Sequence, residues 1–250
     1  MTEPLTRSYF NRLRPGCRVR PSDGVAKTAT TTTDADQIVR RLRELADPAE
    51  FAKTVKRVPA EQVIGVRMKL LFDLAKAQAS MDLDEVRLLL RSPWYDARVV
   101  AVSILDARAR MSPATSDDRR AIYELYRAEH RHIDTWDLVD RAAPRVVGDY
   151  LLGRSRAPLF ELARSGDPWE RRTAITAAFW IIRAGDLDDP LALVDLLLDD
   201  DEHFVQTSLG TALREIGRVD PARLDEFVTR NAGRISPATR RLMADPGRAR

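Results

Sequence analysis

The 250-residue chain contains a single cysteine, Cys17, and only three histidines. One cysteine excludes an internal disulfide, a CxxC redox pair and a zinc site built from several cysteines, and it fits a reducing compartment. Three histidines without an HExxH sequence leave little material for a metal centre. We therefore predict no metal site and no cofactor.

Long apolar runs and nucleotide-binding motifs are also missing. No stretch approaches the roughly 18 uninterrupted apolar residues that a membrane span requires, so we predict no membrane contact. Neither GxGxxG nor the P-loop pattern GxxxxGK followed by Ser or Thr occurs, which argues against both kinds of phosphate-binding loop. Hydrophobic residues nevertheless make up 44% of the chain, enough to bury a substantial core.

A net charge of +3 hides an uneven distribution of charge along the chain. Residues 1–34 and 230–250 are basic, whereas residues 186–202 hold eight acidic residues and no basic one. Such segregation permits a surface that binds a polyanion without proving one. Because residues 1–34 also lack an apolar period and contain a run of threonines, we predict a disordered basic arm there. Residues 244–250 are predicted to form a flexible tail.

From Asp36 onward, apolar residues recur at the three-to-four spacing of amphipathic helices, as in Val99, Val102 and Leu105. Asp-Pro and Ser-Pro pairs interrupt this pattern, and proline in such a pair suits the first turn of the next helix. No run of alternating strand residues lies between the breaks. The predicted fold is therefore all-α.

The predicted helices also repeat. An aromatic residue followed by a helix that turns from polar to apolar recurs at Trp94, Trp136, Trp169 and Phe204, at intervals of 42, 33 and 35 residues. Helix-pair solenoids of the HEAT type have periods of about 40–47 residues, and related arrays have shorter ones. We predict a curved solenoid of HEAT-like helix pairs over residues 35–243, with a concave surface formed by the second helix of each pair. For Trp94 and Phe204, a hydrophobic anchor is the simpler interpretation.

The most unusual segment is TWDLVD, residues 135–140. Trp136 and Asp140 stand at i and i+4 and so share one helical face, which places an indole beside a carboxylate. The pattern alone leaves open that Asp140 simply pairs with Arg141, Arg145 or a backbone group.

A second unusual segment, PWERRTAI at residues 168–175, places two consecutive arginines at the start of a helix. Arg171 and Arg172 point about 100° apart, so at most one of them can be central in a cleft. Either guanidinium would suit a phosphate, because its planar fork matches a pair of oxygens. The alternative is a solvated first turn in which both arginines pair with Asp167 or Glu170.

Together these segments resemble the bacterial AlkD-type alkylpurine DNA glycosylases, which are built from HEAT-like repeats. The matching sequences are IGVR, SPWYDARVVAVSIL, TWDLVD followed by AAP, PWERRTAI and FVQTSLGTALREIG, in the family's order over about residues 36–242. The resemblance implies hydrolysis of the N-glycosidic bond of N3- or N7-alkylated purines, bulky adducts included, in double-stranded DNA. It further implies action on a lesion left in the duplex. We also predict a monomer that works in the cytoplasm, at the nucleoid.

The resemblance also assigns roles to individual residues. Two residues are the predicted catalytic pair: Asp140, as the essential carboxylate, and Trp136, as a tryptophan of the cleft. Arg172 matches an arginine that binds DNA in the family, and Arg214 matches another basic residue of the cleft. Beyond the resemblance, Arg98 and Arg171 are further candidate DNA-binding residues. Two residues are candidates for the lining of the substrate cleft: Thr211 and Trp169.

A non-catalytic helical-repeat scaffold that binds nucleic acid or a protein partner is the alternative function. The family usually carries a second cleft tryptophan directly after the glycine of the last motif, whereas Gly210 is followed here by Thr211, which offers no π face. Thr211 and the acidic residues 186–202 favour the scaffold. Trp136 together with Asp140 favours the enzyme.

Overall fold

The computed structural model describes residues 33–111 and 115–244. The predicted arm and tail lie almost entirely outside these residues. Within the described ranges the chain forms thirteen α-helices and no strand, and Ala46 and Val66 make an isolated antiparallel bridge. The predicted all-α class is confirmed. None of the described helices is long and apolar enough to cross a membrane.

Seven of these helices precede a π-helix, Ala143–Asp149, which directly continues the seventh. They are α1 (Ala35–Glu44), α2 (Pro48–Thr54), α3 (Met68–Ala77), α4 (Leu83–Leu90), α5 (Tyr95–Arg110), α6 (Ser116–Ala128) and α7 (Trp136–Ala142). The other six are α8 (Ala157–Ala163), α9 (Pro168–Arg183), α10 (Asp188–Leu197), α11 (His203–Val219), α12 (Pro221–Arg230) and α13 (Pro237–Met243). Short 3₁₀ turns lie at Ala60–Gln62 and His130–His132.

Several helices begin where the Asp-Pro and Ser-Pro pairs predict. Asp47, Asp167 and Asp220 each precede a proline and accept a hydrogen bond from the backbone N–H two residues further on. Ser236 caps α13 in a similar way, by accepting from the N–H of Thr239. The cap satisfies a donor that the first turn leaves unpaired, and proline loses nothing there because it has no N–H.

The helices form two layers. The helices α3, α5, α7, α9 and α11 pack against one another in chain order, and α13 packs against α11. The intervening helices α4, α6, α8, α10 and α12 each pack against a neighbour in that series. This alternation is that of the predicted solenoid of HEAT-like helix pairs, in which every pair buries its apolar face against the next.

Asp96, near the start of α5, explains the IGVR segment that precedes α3. Its carboxylate accepts hydrogen bonds from the backbone N–H groups of Ile64, Gly65 and Val66 at 2.9, 3.3 and 2.8 Å. Gly65 has a φ of +89°, and a Cβ at this position would come within 2.7 Å of the Phe51 Cβ. Glycine is required by both constraints. The segment therefore fixes the chain just before α3, beside α5.

The acidic residues 186–202 are largely balanced by arginines from neighbouring repeats. Arg156 lies within 4 Å of two of their carboxylates, Arg234 contacts two more, and Arg223 and Arg171 contact one each. The paired carboxylates are those of Asp186, Asp188, Asp189, Asp195, Asp199 and Asp200. Most of this negative charge is thus used to join helices.

Candidate functional site

A groove of about 340 Å³ lies between α3, α5 and α7. It combines an apolar wall with charged groups, a combination typical of ligand sites. Its apolar lining residues are Met68, Phe72, Val99 and Trp136, and its charged ones are Arg57, Asp137, Asp140 and Arg141. We call it the Asp140 groove. It contains both residues that the sequence predicts to be catalytic.

Trp136 and Asp140 face the groove because of where α7 begins. The helix starts at Trp136, so Asp140 follows one turn later on the same face. The Trp136 residue is 48% exposed and the Asp140 side chain is 38% exposed. An indole and a carboxylate are therefore both open to a molecule that enters the groove.

Asp137 anchors the first turn of α7. Its carboxylate accepts hydrogen bonds from the Arg57 guanidinium, from the Tyr95 hydroxyl and from Thr135 Oγ1, the last at 2.6 Å. Burial and the negative charge of Asp137 raise the pKa of Tyr95, so its hydroxyl stays protonated and donates. These contacts hold the first turn of α7 to α5.

Arg57 also contacts the indole. Its Cζ lies 5.7 Å from the centroid of the Trp136 ring and 5.1 Å from that of Tyr95. A guanidinium at this distance is attracted by the ring quadrupole. Arg57 therefore restricts the orientation of Trp136 and adds positive charge at the edge of the groove.

Arg172 reaches from α9 to Asp140 on α7. Its Nε and Nη2 donate to Asp140 Oδ1 at 3.0 and 2.9 Å, and Nη2 also donates to Oδ2 at 2.7 Å. Its Nη1 donates to the backbone carbonyl of Phe204. The Arg172 side chain is only 8% exposed. A phosphate bound to Arg172 would therefore compete with Asp140 or with the Phe204 carbonyl.

The groups around Asp140 shift its pKa in opposite directions. Burial among the surrounding helices raises the pKa of Asp140, the hydrogen bonds and charge of Arg172 lower it in part, and the nearby carboxylate of Asp137 raises it again. Three hydrogen bonds from one guanidinium are the arrangement of an ionised pair. The site therefore holds a negative charge that is poorly solvated on one side and open on the other.

Two of the candidate DNA-binding arginines are held by other groups of the fold. Arg171 Nε donates to Asp200 Oδ2 at 2.6 Å, which joins α9 to the segment before α11. Arg98 is 6% exposed and donates to Asp134 at 3.1 Å and to Gln62 at 2.9 Å. Neither arginine lines the Asp140 groove.

Thr211 and Arg214 both lie on α11, away from the residues that line the groove. Thr211 Oγ1 donates to the backbone carbonyl of Thr207 at 3.1 Å, within its own helix. Arg214 Nη1 donates to the backbone carbonyl of Leu242 at 3.4 Å. Thr207, which accepts from Thr211, also accepts at its own Oγ1 from Arg172 Nη1 at 3.5 Å.

Trp169 stacks on Phe204, with ring centroids 3.9 Å apart and planes inclined by 8°. The stack covers one face of the Trp169 indole. It also fixes Phe204, whose backbone carbonyl accepts from Arg172. Trp169 thus supports the residue that holds Asp140 and is not itself in the groove lining.

The sequence did not reveal Arg57 and Phe72 as groove residues. Arg57 lies between α2 and α3, outside any periodic helix, so no spacing marks it. Phe72 belongs to the apolar pattern of α3, in which a core residue and a groove residue look alike. Tyr95 stands inside the SPWYDARVVAVSIL segment, but nothing in that pattern indicates a partner 42 residues away.

The fold and the groove define a helical-repeat protein that presents a carboxylate, an indole and arginines on one face. A family model described as DNA alkylation repair enzyme matches residues 38–242, and the chain belongs to this family. The resemblance seen in the sequence is confirmed at the level of the family, which gives the protein a role in the repair of alkylated DNA.

One solved structure with the same fold is described as a predicted DNA alkylation repair enzyme from Enterococcus faecalis. The two are 16% identical, with a TM-score of 0.58, and the match covers 79% of this chain and 94% of that one. Likeness at this identity shows the fold alone. No protein with a curated description matches the chain in sequence.

Proposed function

We propose that the protein is a DNA glycosylase that hydrolyses the N-glycosidic bond of N3- or N7-alkylated purines in duplex DNA. The observation that carries the proposal is the common placement of Trp136 and Asp140 in one open groove, with Asp140 held by Arg172. Membership of the DNA alkylation repair family supports alkylated DNA as the substrate.

The reaction depends on a negatively charged carboxylate more than on a general acid that protonates the leaving base. A purine alkylated at N3 or N7 already carries positive charge, so the electron pair of the breaking glycosidic bond neutralises the base as it leaves. Positive charge then develops on the deoxyribose, and a nearby carboxylate stabilises it. Water adds to C1′ and releases a proton. In this scheme Asp140 stabilises the sugar cation and orients the attacking water.

Trp136 adds a second source of attraction for the same charge. Its indole face attracts cations, and the attraction strengthens where water is excluded. Arg57 lies over the same ring, so the indole is already oriented before a substrate arrives. Trp136 would therefore contribute to binding and to stabilisation of the sugar cation, and Asp140 would contribute more.

The exposure of the groove supports a lesion presented at the surface of the duplex. Glycosylases ordinarily extrude the target base into an enclosing pocket. Here, the indole is nearly half exposed and the carboxylate more than a third exposed. Such a groove leaves room for a bulky alkyl group. One chain supplies all the proposed catalytic residues, which supports action as a monomer.

Release of the free base is the test. Wild-type protein is incubated with duplex DNA that contains 7-methylguanine, and the released base is quantified by chromatography. Protein-free DNA gives the spontaneous background, and Asp140→Asn is the matched control. Release above both controls is the expected result. Binding of the duplex without any release would contradict the glycosylase and favour the non-catalytic scaffold.

A further inference from the structure

A second charged cluster lies on α5, on α7 and on the π-helix that follows α7, outside the proposed catalytic pair. The Asp106 carboxylate is 1% exposed and lies among three guanidinium groups. Arg110 Nε and Nη2 donate to its Oδ2 at 3.0 and 2.7 Å. Arg141 Nη2 lies 3.2 Å from Oδ2, and Arg145 Nε lies 3.5 Å from Oδ1. We call these four residues the Asp106 cluster. It carries two more positive charges than negative ones.

The carboxylate points inward and the arginines point outward. The side chains of Arg110, Arg141 and Arg145 are 49%, 26% and 32% exposed. Burial lowers the pKa of Arg141, the Asp106 charge opposes this, and the positive charges of Arg110 and Arg145 lower it further. An anion bound between the arginines would relieve that repulsion. The single negative charge of Asp106 balances only one of the three guanidinium charges, so two positive charges are left for another anion.

The cluster continues the Asp140 groove. Asp106, Arg110 and Arg141 line a cavity of about 570 Å³. Phe72 and Arg141 line both this cavity and the Asp140 groove, so the two spaces adjoin. Arg141 also directly follows Asp140 in the chain. A DNA strand with one sugar at Asp140 would therefore place the adjacent part of its backbone at the Asp106 cluster.

Other charges that line the cavity do not cancel this surplus. Asp73 is its second acidic residue, but Lys69 Nζ lies 2.5 Å from the Asp73 carboxylate. Lys76 adds a further positive charge to the lining. The cavity wall is therefore electropositive overall, which suits a phosphate.

Two of the arginines are already held in place. Arg141 Cζ lies 4.2 Å from the ring centroid of Phe72, and Arg145 Cζ lies 4.5 Å from that of Trp180. Arg141 Nε also donates to Ser103 Oγ at 3.2 Å. Side chains ordered before binding lose less conformational entropy when a ligand arrives. This arrangement is that of a prepared anion site.

We propose that the Asp106 cluster binds phosphates of the DNA backbone next to the purine held in the Asp140 groove. The proposal rests on the function proposed above. The guanidinium groups of Arg110, Arg141 and Arg145 donate to non-bridging phosphate oxygens, and Asp106 keeps the three arginines together. Such contacts fix the position of the duplex without reading its sequence.

The test measures how binding of an undamaged duplex depends on salt. Fluorescence anisotropy with a labelled duplex gives Kd over about 50 to 200 mM salt, a range in which phosphate contacts weaken steeply. The variants are Arg110→Gln, Arg145→Gln and the double variant. The matched control is Arg230→Gln, which removes an arginine that is 65% exposed and paired with Glu226 on α12. Thermal melting of each variant confirms that it is folded.

For each lost phosphate contact, the slope of log K against log salt should flatten by about 0.9, so the double variant should lose about twice as much. Arg230→Gln should keep the wild-type slope. Arg110→Lys should restore most of the slope lost in Arg110→Gln, because the charge returns. If Arg145→Gln does not fold, the comparison of Arg110→Gln with Arg110→Lys still tests the cluster.

Wild-type slopes in Arg110→Gln and in the folded double variant would overturn the role of the cluster. If the wild type also released 7-methylguanine, the proposed function would stand without the cluster. A wild-type protein that bound no duplex would instead contradict both proposals together.

Discussion

Arg172 and Asp140, 32 residues apart in the sequence, are joined by three hydrogen bonds of 2.7 to 3.0 Å between α9 and α7. The arginine is the more buried partner, at 8% exposure against 38% for the carboxylate. Arg172 therefore acts from inside the fold and fixes the orientation of Asp140. The open side of the carboxylate faces the groove.

Asp140→Asn tests the proposed charge stabilisation. The amide is nearly isosteric, so we expect DNA binding and the fold to be retained while excision slows. A lost charge interaction of about 2.7–4 kcal/mol corresponds to a rate about 100- to 1000-fold lower. Single-turnover excision of 7-methylguanine and of a bulkier N3-adenine adduct, at saturating enzyme, measures it. Asp117→Asn, at a side chain that is 84% exposed on α6, is the control. Equal rates for Asp140→Asn and the wild type would exclude Asp140 from catalysis.

Arg172→Lys separates the positioning of Asp140 from direct binding of phosphate. Lysine keeps the charge but cannot make the paired contacts of the guanidinium fork. Loss of charged hydrogen bonds worth about 1.5–3 kcal/mol predicts excision roughly 10- to 150-fold slower. Because the charge is kept, we expect the salt slope of duplex binding to stay at the wild-type value. If Arg172→Gln flattened that slope by about 0.9, Arg172 would be a phosphate ligand in its own right.

Trp136→Ala should slow excision without large loss of stability. A cation–π contribution of about 0.5–2 kcal/mol predicts a rate roughly 2- to 30-fold lower, which is less than the effect at Asp140. The melting temperature should change little, because the residue is 48% exposed. Leu88→Ala, at a residue that is 54% exposed, is the matched control. Trp136→Phe should recover part of the rate, and a rate as low as that of Trp136→Ala would argue against a role for the π face.

The acidic limb of the pH–rate profile for excision should report the ionisation of Asp140. Only the ionised carboxylate stabilises a cation, so the rate should rise with pH through the Asp140 pKa and level off above it. Because burial raises that pKa, the limb should lie above the ordinary aspartate value of about 3.9. Single-turnover rates corrected for protein-free DNA measure it, and a limb at or below the ordinary value would contradict the prediction.

The raised pKa of Asp140 also makes the free energy of unfolding depend on pH. The folded state binds the Asp140 proton more tightly than the unfolded state does, since its pKa is raised on folding. The contribution of Asp140 to the free energy of unfolding should therefore decrease as pH rises from the ordinary aspartate pKa through the raised one. Urea unfolding of the wild type and of Asp140→Asn across this range should converge at low pH.

The sequence alone determined the helices, their repetition and the placement of Trp136 beside Asp140. Each of these follows from interactions within a few residues. Apolar spacing sets the buried face of a helix, proline with its capping residue sets where a helix begins, and a separation of four residues sets a shared face. Family membership also follows, because the motifs keep their order over most of the chain.

Only the tertiary structure decided which charges meet. The sequence left Asp140 open to pairing with Arg141 or Arg145, yet both of these arginines contact Asp106, and Asp140 is held by Arg172 instead. Partners separated by about one repeat are brought together by the packing of neighbouring helices. An arginine can reach several carboxylates at that range, and the spacing of residues along the chain does not show which one lies within hydrogen-bonding distance.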